Sequence, residues 1–155
     1  MWTVFLVDAL ETLALGRALG ASLSGPARLA LSGDLGAGKT TFTQGLAEGL
    51  GIDVPVVSPT FVIMSEYDSG RVPLLHGDAY RLNAGEALSI GMDEAIDTWP
   101  GVVVIEWAEK VEDFFDGPHI RLHLSHEERG RRAHLQATGR CHVELLEKWQ
   151  GAYLG

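Results

Sequence analysis

The chain of 155 residues has little cysteine and no long apolar run. Cys141 is its one cysteine, and no apolar stretch approaches the length of a membrane span. One cysteine excludes an internal disulfide and fits a reducing compartment. The first residues show neither a basic leader nor a small-residue cleavage site. These absences predict a cytoplasmic protein without membrane association.

Basic residues are also scarce, because 12 Lys and Arg stand against 21 Asp and Glu, for a net charge of −9. Tight binding to a nucleic-acid backbone normally needs a basic face, so this balance argues against direct contact. The local exception is the segment Arg129-Gly130-Arg131-Arg132. Its favoured interpretation is a solvated turn between two strands. Contact with a nucleotide phosphate or an acidic protein partner stays open.

Residues 33–40 read Gly-Asp-Leu-Gly-Ala-Gly-Lys-Thr and fit the phosphate-binding pattern G-x-x-x-x-G-K-[ST] at every fixed position. The preceding run Ala27–Ser32 is typical of a buried strand, and residues 41–50 have helical spacing. Glycines let successive N–H groups curl around an anion, and the helix dipole adds positive potential there. Lys39 would supply charge to the β- and γ-phosphates, and Thr40 would ligate Mg²⁺. The pattern predicts a nucleoside triphosphate with magnesium.

The alternation of strand and helix patterns predicts one domain over residues 1–155, a three-layer P-loop NTPase-like α/β fold with a mixed central sheet. Asp8 followed by Glu11 has the form of a helix start. Four β-branched residues, Val102–Ile105, indicate a strand buried on both faces. The other predicted elements are strands at 2–7, 61–67, 72–76, 119–124 and 133–138, a helix to about Leu23, short helices within 82–96 broken at Gly91, a short helix at 111–115 and a terminal helix.

Two predicted strands lead into a carboxylate at the sheet edge where the phosphates should lie. Glu106 comes directly after Val102–Ile105, and Asp78 follows the apolar strand before it in the chain. Mg²⁺ prefers oxygen ligands, including one or two from the protein, so both acids are candidates for the metal or the hydrolytic step. A solvated strand end is the alternative for each. Thr60 could sense the γ-phosphate, although Ser-Pro-Thr also makes a good turn.

Four strings of the sequence occur in a recognisable order: Gly33–Phe42 (GDLGAGKTTF), Ser58–Phe61 (SPTF), His76–Leu82 (HGDAYRL) and Ile105–Trp107 (IEW). Together they resemble the TsaE (YjeE) family, the ATPase subunit of bacterial tRNA threonylcarbamoyladenosine biosynthesis. The resemblance covers most of the chain and is strongest over its first two-thirds. It implies an ATP-binding, slowly hydrolysing subunit that supports formation of threonylcarbamoyladenosine in tRNA by acting on the transferase complex.

The resemblance also implies roles for single residues. Lys39 would hold the phosphates, Thr40 and Glu106 would bind Mg²⁺, and Asp78 would help the hydrolytic step. Thr60 would belong to a switch-like segment. The implied ATP-binding set is Thr12 beside the base, Asp34, Leu35, Gly36, Ala37, Gly38, Lys39, Thr40, Thr41, Thr60, Trp107 and Arg131. For Trp107, packing in the core beside the buried strand is the alternative.

The family further implies two partners, the threonylcarbamoyltransferase subunit and its inactive paralogue, with tRNA reached only indirectly.

Two other interpretations of the function stay open. A small-molecule or nucleotide kinase of the P-loop class would bring lid arginines to the transferred phosphoryl group. The comparable cluster is Arg129, Arg131 and Arg132, in a segment that reads as a hairpin. A GTP-dependent switch usually carries an Asn-Lys-x-Asp segment, which the sequence lacks, so ATP is the preferred nucleotide.

Overall fold

A computed structural model describes residues 1–59 and 63–155 of the chain. The predicted switch residue Thr60 therefore lies outside the described residues. In chain order the elements are β1 (Trp2–Leu6), α1 (Ala9–Ser22), β2 (Ala27–Gly33), α2 (Lys39–Gly49), β3 (Met64–Tyr67), β4 (Leu74–Asp78), α3 (Ala84–Ser89), α4 (Met92–Thr98), β5 (Val102–Glu106), a 3₁₀ helix (Ala108–Phe114), β6 (His119–Glu127), β7 (Gly130–Thr138) and α5 (Arg140–Leu154).

The seven strands form one mixed sheet in the order β1-β7-β6-β2-β5-β4-β3. Strands β6, β2, β5 and β4 run parallel through its centre, and antiparallel neighbours extend it at both sides. The predicted mixed sheet is therefore confirmed. The carboxyl ends of β2, β5 and β4 lie at one edge, where α/β folds of this kind bind their ligands.

Helices cover both faces of the sheet and make the three predicted layers. On one face α1, α2 and α5 bury a core that includes Leu19, Phe42 and Trp149. On the other, α3, α4 and the 3₁₀ helix bury a smaller core around Met92 and Val111. All five residues of β5 are buried, which confirms the strand buried on both faces.

Helices α1 and α2 touch backbone to backbone through four glycines. A Cβ atom built on Gly16 or Gly20 would lie 2.2 or 2.4 Å from a carbonyl oxygen of α2. A Cβ atom on Gly45 or Gly49 would lie 2.1 or 2.3 Å from a carbonyl oxygen of α1. No side chain fits at these distances, so glycine is required for this close approach. The contact fixes α1 against the helix that follows the phosphate-binding loop.

The predicted element boundaries need small corrections. The predicted strand 72–76 begins at Leu74 because Pro73 has no N–H, and its carbonyl instead accepts from the Val102 N–H at 2.8 Å. The short helix predicted at 111–115 is the 3₁₀ helix that begins at Ala108. Asp8 does cap α1, since its Oδ1 accepts from the Glu11 N–H at 3.0 Å.

Within residues 1–59 and 63–155, each helix is too short or too polar to span a bilayer.

Candidate functional site

The loop between β2 and α2 has the backbone shape that its glycines predict. Gly33, Gly36 and Gly38 have φ angles of +136°, +76° and +110°, values that side-chain-bearing residues rarely adopt. Gly38 is the residue before α2 and provides no side-chain cap for the helix. The first N–H groups of α2 therefore point toward the loop without a side-chain acceptor, as in anion sites at helix N-termini.

Lys39 is folded back over this loop. Its Nζ donates to the carbonyl oxygens of Gly33 at 2.8 Å and Asp34 at 2.9 Å. The same ammonium lies 4.1 Å from the ring centroid of Trp107, a cation–π contact. Burial lowers the pKa of Lys39 below its ordinary value, opposed by the negative charges of Glu106 and other nearby carboxylates. The side chain is thus a buried cation beside the predicted phosphate site.

Glu106 lies opposite Thr40 at the carboxyl end of β5. The Thr40 hydroxyl is 3.1 and 3.2 Å from the two carboxylate oxygens and donates to them. Glu106 is 3% exposed, and its Oε2 also accepts from Nε2 of His76 at 2.5 Å. Hydroxyl and carboxylate oxygens on facing elements are ligands that suit a hard divalent cation.

Asp78 lies beside Glu106, its Cα partner across the parallel pair of β4 and β5. Its Oδ2 accepts from the Ser58 hydroxyl at 3.2 Å, and its Oδ1 accepts from the Tyr80 N–H at 2.9 Å. The carboxylate is half-buried, so part of it faces the cleft. These contacts fix an acid near the predicted metal ligands.

A cleft of about 280 Å³ opens between these groups. Ten of the predicted residues line it: Leu35, Gly36, Gly38, Lys39, Thr40, Thr41, Asp78, Glu106, Trp107 and Arg131. Three others have different surroundings. Thr12 is buried behind Gly38 and donates its hydroxyl to the Asp8 carbonyl at 3.3 Å, Asp34 is exposed beside the cleft, and Ala37 packs into the core.

Trp107 has a backbone conformation that is uncommon for a side-chain-bearing residue, with a φ of +58°. Its ring contacts the ammonium of Lys39 and the ring of Tyr80, whose centroid is 4.8 Å away. Strained residues of this kind cluster at functional sites. The indole is half-buried: it lines the cleft and also packs against the smaller core, so both interpretations of Trp107 hold in part.

The β6–β7 hairpin contacts two carbonyl groups of the loop. His126 donates from Nε2 to the Leu35 carbonyl at 3.1 Å, and Arg131 donates from Nη1 to the Ala37 carbonyl at 3.4 Å. Across a trans peptide the C=O and N–H point in opposite directions. Because the hairpin holds these two carbonyl groups toward itself, the N–H groups of Gly36 and Gly38 in the same peptides point away from the hairpin.

His126, Ser58 and Tyr80 were not among the predicted site residues. His126 and Arg131 are register partners, two residues beyond the last buried apolar positions of β6 and β7 on the same face, where His126 is exposed and Arg131 is half-buried. A polar pair therefore follows the apolar residues on that face. That break in the pattern is a signal that sequence reasoning can use. Nothing comparable marks Ser58, because its contact depends on how a separate segment approaches Asp78. Tyr80 follows Asp78 by two residues, and its N–H contact with that carboxylate is local.

Comparison with known proteins gives a consistent result. The family model described as "Threonylcarbamoyl adenosine biosynthesis protein TsaE" matches residues 6–134. A protein of Nostoc sp. named tRNA threonylcarbamoyladenosine biosynthesis protein TsaE is 44% identical over 135 residues, covering 85% of this chain and 83% of that protein. A Streptomyces coelicolor protein of the same name is 40% identical over 144 residues, covering 89% and 93%. The crystal structure of Bacillus subtilis YdiB has a TM-score of 0.82 and 33% identity, covering 97% of this chain and 94% of that one.

Proposed function

The chain belongs to the TsaE family, and on that basis we propose that it is the ATP-binding, slowly hydrolysing subunit that supports formation of threonylcarbamoyladenosine in tRNA. The observation that carries the ATPase part is the contact of Thr40 with Glu106 at 3.1 Å, at the end of a glycine loop with the shape of a phosphate site. A loop that only turned the chain into a helix would not need an acid and a hydroxyl facing each other beside its first N–H groups.

Lys39 and the loop amides would bind the triphosphate. On binding, the ammonium would exchange the carbonyl oxygens of Gly33 and Asp34 for phosphate oxygens. The phosphate charge would then compensate the burial that lowers the pKa of Lys39. Arg131, which lines the same cleft, would add a second cation toward the nucleotide.

Magnesium fits the donor set at this cleft. The hydroxyl of Thr40 and the carboxylate of Glu106 are hard oxygen donors, and they already lie within hydrogen-bond distance of each other. When bound, the ion would neutralise charge that develops on the phosphate oxygens. The chain would hold it through these two residues.

Asp78 would help the hydrolytic step. The Ser58 hydroxyl and the Tyr80 N–H hold its carboxylate at the edge of the cleft, one on each oxygen. The remaining lone pairs can accept a hydrogen bond from the attacking water and orient it toward the γ-phosphate. Hydrolysis by a positioned water suits a slow switch better than a metabolic kinase.

The proposed partners are the threonylcarbamoyltransferase subunit and its inactive paralogue, on which the ATP and ADP states would act differently. Contact with tRNA would be indirect, since the chain carries a net charge of −9.

The kinase alternative would need mobile arginines over the phosphates. Instead Arg132 pairs with Glu127 on the regular hairpin of β6 and β7.

Calorimetry with ATP and Mg²⁺, followed by hydrolysis assays with and without the purified partner subunits, tests the proposal. We expect ATP binding, slow release of phosphate to water, and faster release with the partners. Glu106→Gln and Asp78→Asn should keep binding and slow hydrolysis. Full turnover at ordinary kinase rates without partners, or transfer of labelled γ-phosphate to a metabolite, would contradict it.

A further inference from the structure

We propose that His76 is a positioning residue that fixes the carboxylate of Glu106 in the orientation needed to bind a divalent cation. The inference rests on the proposed function, because it assumes metal-dependent nucleotide binding at this cleft. It assigns a role to a side chain that lies behind the cleft and does not line it.

The contact follows from the register of two parallel strands. His76 in β4 is the Cα partner of Val104 in β5, two residues before Glu106. Residues two apart on a strand share a face, so His76 and Glu106 are diagonal neighbours on the side of α2. Long side chains bridge this spacing, and the Nε2 to Oε2 distance is 2.5 Å.

The buried carboxylate of Glu106 needs hydrogen-bond donors from the protein interior. At 3% exposure the carboxylate has little access to water, and a buried ion is stable only when it is hydrogen-bonded. Among the described residues two side chains donate to it, Thr40 and His76. Thr40 faces the cleft and is itself a candidate ligand, so its bond to Glu106 can be exchanged for a metal contact.

His76 differs from Thr40 because it is fully buried inside the sheet layer. Its bond to Glu106 can therefore persist when the cleft fills. Nδ1 of His76 is buried and has no hydrogen-bond partner within the described part of the chain. An unpaired buried polar atom is costly, so an apolar side chain would suit the core better unless the Nε2 contact has a purpose. Partners of this kind commonly orient metal ligands.

The test measures metal binding apart from turnover, with Mn²⁺ as the probe and ADP as the nucleotide. Free Mn²⁺ is followed by electron paramagnetic resonance for the wild type, His76→Leu, His76→Asn and His76→Gln, and ADP affinity in EDTA is measured by calorimetry. We expect His76→Leu and His76→Asn to weaken Mn²⁺ binding to the ADP complex by roughly 10- to 100-fold. His76→Gln, whose amide can donate near the position of Nε2, should recover most of the affinity.

A matched control is His142→Leu, because His142 is another buried histidine whose Nδ1 has no partner among the described residues, but it lies at the start of α5 and contacts Arg28 at the start of β2, away from the cleft. The His142→Leu variant should have a lower midpoint of unfolding in urea, whereas its Mn²⁺ affinity should equal that of the wild type. Should His76→Leu fail to fold, His76→Asn decides the question. Unchanged Mn²⁺ affinity in the folded variants, or an equal loss of ADP affinity in EDTA, would overturn the positioning role alone. Absence of Mn²⁺-dependent ADP binding by the wild type would instead overturn the proposed function as well.

Discussion

Nucleotide binding should replace the contacts that Lys39 makes with the loop. The contribution of Lys39 to ATP affinity can therefore be measured. Replacing it with alanine removes the compact charge while the loop amides remain. A hydrogen bond to a charged group contributes about 1.5–3 kcal/mol, so Lys39→Ala should weaken ATP binding roughly 10- to 100-fold. Calorimetry with Mg²⁺ and ATP measures this directly. Lys148→Ala, an exposed lysine on α5, is the control, and equal affinity of the two variants would contradict the role of Lys39.

His142 gives the chain a stability that depends on pH. Its Nε2 accepts from the Arg28 N–H at 3.1 Å, and burial, followed by the charges of His119 and Arg28, lowers its pKa. In the unfolded chain a histidine has a pKa of about 6.5, so below this pH the unfolded state binds more protons than the folded state. The stability contributed by neutral His142 is therefore full above about pH 6.5 and is lost as the pH falls through the lowered pKa.

The variant His142→Gln isolates this effect, because its amide oxygen can accept from Arg28 and does not titrate. Urea unfolding from about pH 8 to about pH 5 should show the wild type losing stability relative to the variant as the pH falls. A difference in the free energy of unfolding that stays constant across this range would show that His142 is not the group responsible.

At the scale of elements, four glycines within α1 and α2 allow the close contact between these two helices. Gly45→Ala places a Cβ atom 2.1 Å from the Leu13 carbonyl, so the helices must separate. Overpacking of this kind costs about 1–3 kcal/mol, which outweighs the gain of up to ~1 kcal/mol that alanine brings to a helix. Urea unfolding measures the loss.

Gly151→Ala in α5 is the matched control for this prediction. A Cβ atom there has nothing within 4 Å, so the helix propensity of alanine should make this variant as stable as the wild type or more so. If Gly45→Ala were as stable as Gly151→Ala, the helices would not need their close approach.

The sequence predicted those elements whose signal is local. Val102–Ile105 identified β5, and the string at Gly33–Thr40 identified the loop, because a short run of neighbouring residues determines each of them. The bond from His76 to Glu106 was not predictable, since it depends on the register between β4 and β5. The glycines of α1 and α2 were overlooked for a related reason: a helical pattern counts apolar positions, whereas these residues matter for the side chain that they lack.

At the scale of the whole molecule, the site is made by topology. Lys39 and Thr40 come from the start of α2, and Glu106 and Asp78 end two neighbouring parallel strands. Parallel strands bring their carboxyl ends to one edge, so acids far apart in sequence meet beside one loop. The pairing of strand ends with the loop was predictable from the sequence. The contacts of the β6–β7 hairpin with the loop were predicted only in part. The resemblance named Arg131, but the carbonyl groups that Arg131 and His126 contact depend on how the hairpin packs against the loop.

The two cores share the strands of a single sheet, and we therefore expect the chain to unfold as one unit. Trp149 reports on the core beside α1 and α2, and Trp99 packs against the opposite core. In each single-tryptophan variant that keeps one or the other, the fluorescence midpoint in urea should coincide with the circular-dichroism midpoint of the same variant. A ligand at the sheet edge stabilises the whole folded state by mass action, so Mg²⁺ and ATP at 100 times the dissociation constant should raise the free energy of unfolding by about 2.7 kcal/mol for both probes. A fluorescence midpoint that departs from the circular-dichroism midpoint of the same variant, or a stabilisation by nucleotide seen by only one tryptophan, would show that the faces of the sheet unfold independently.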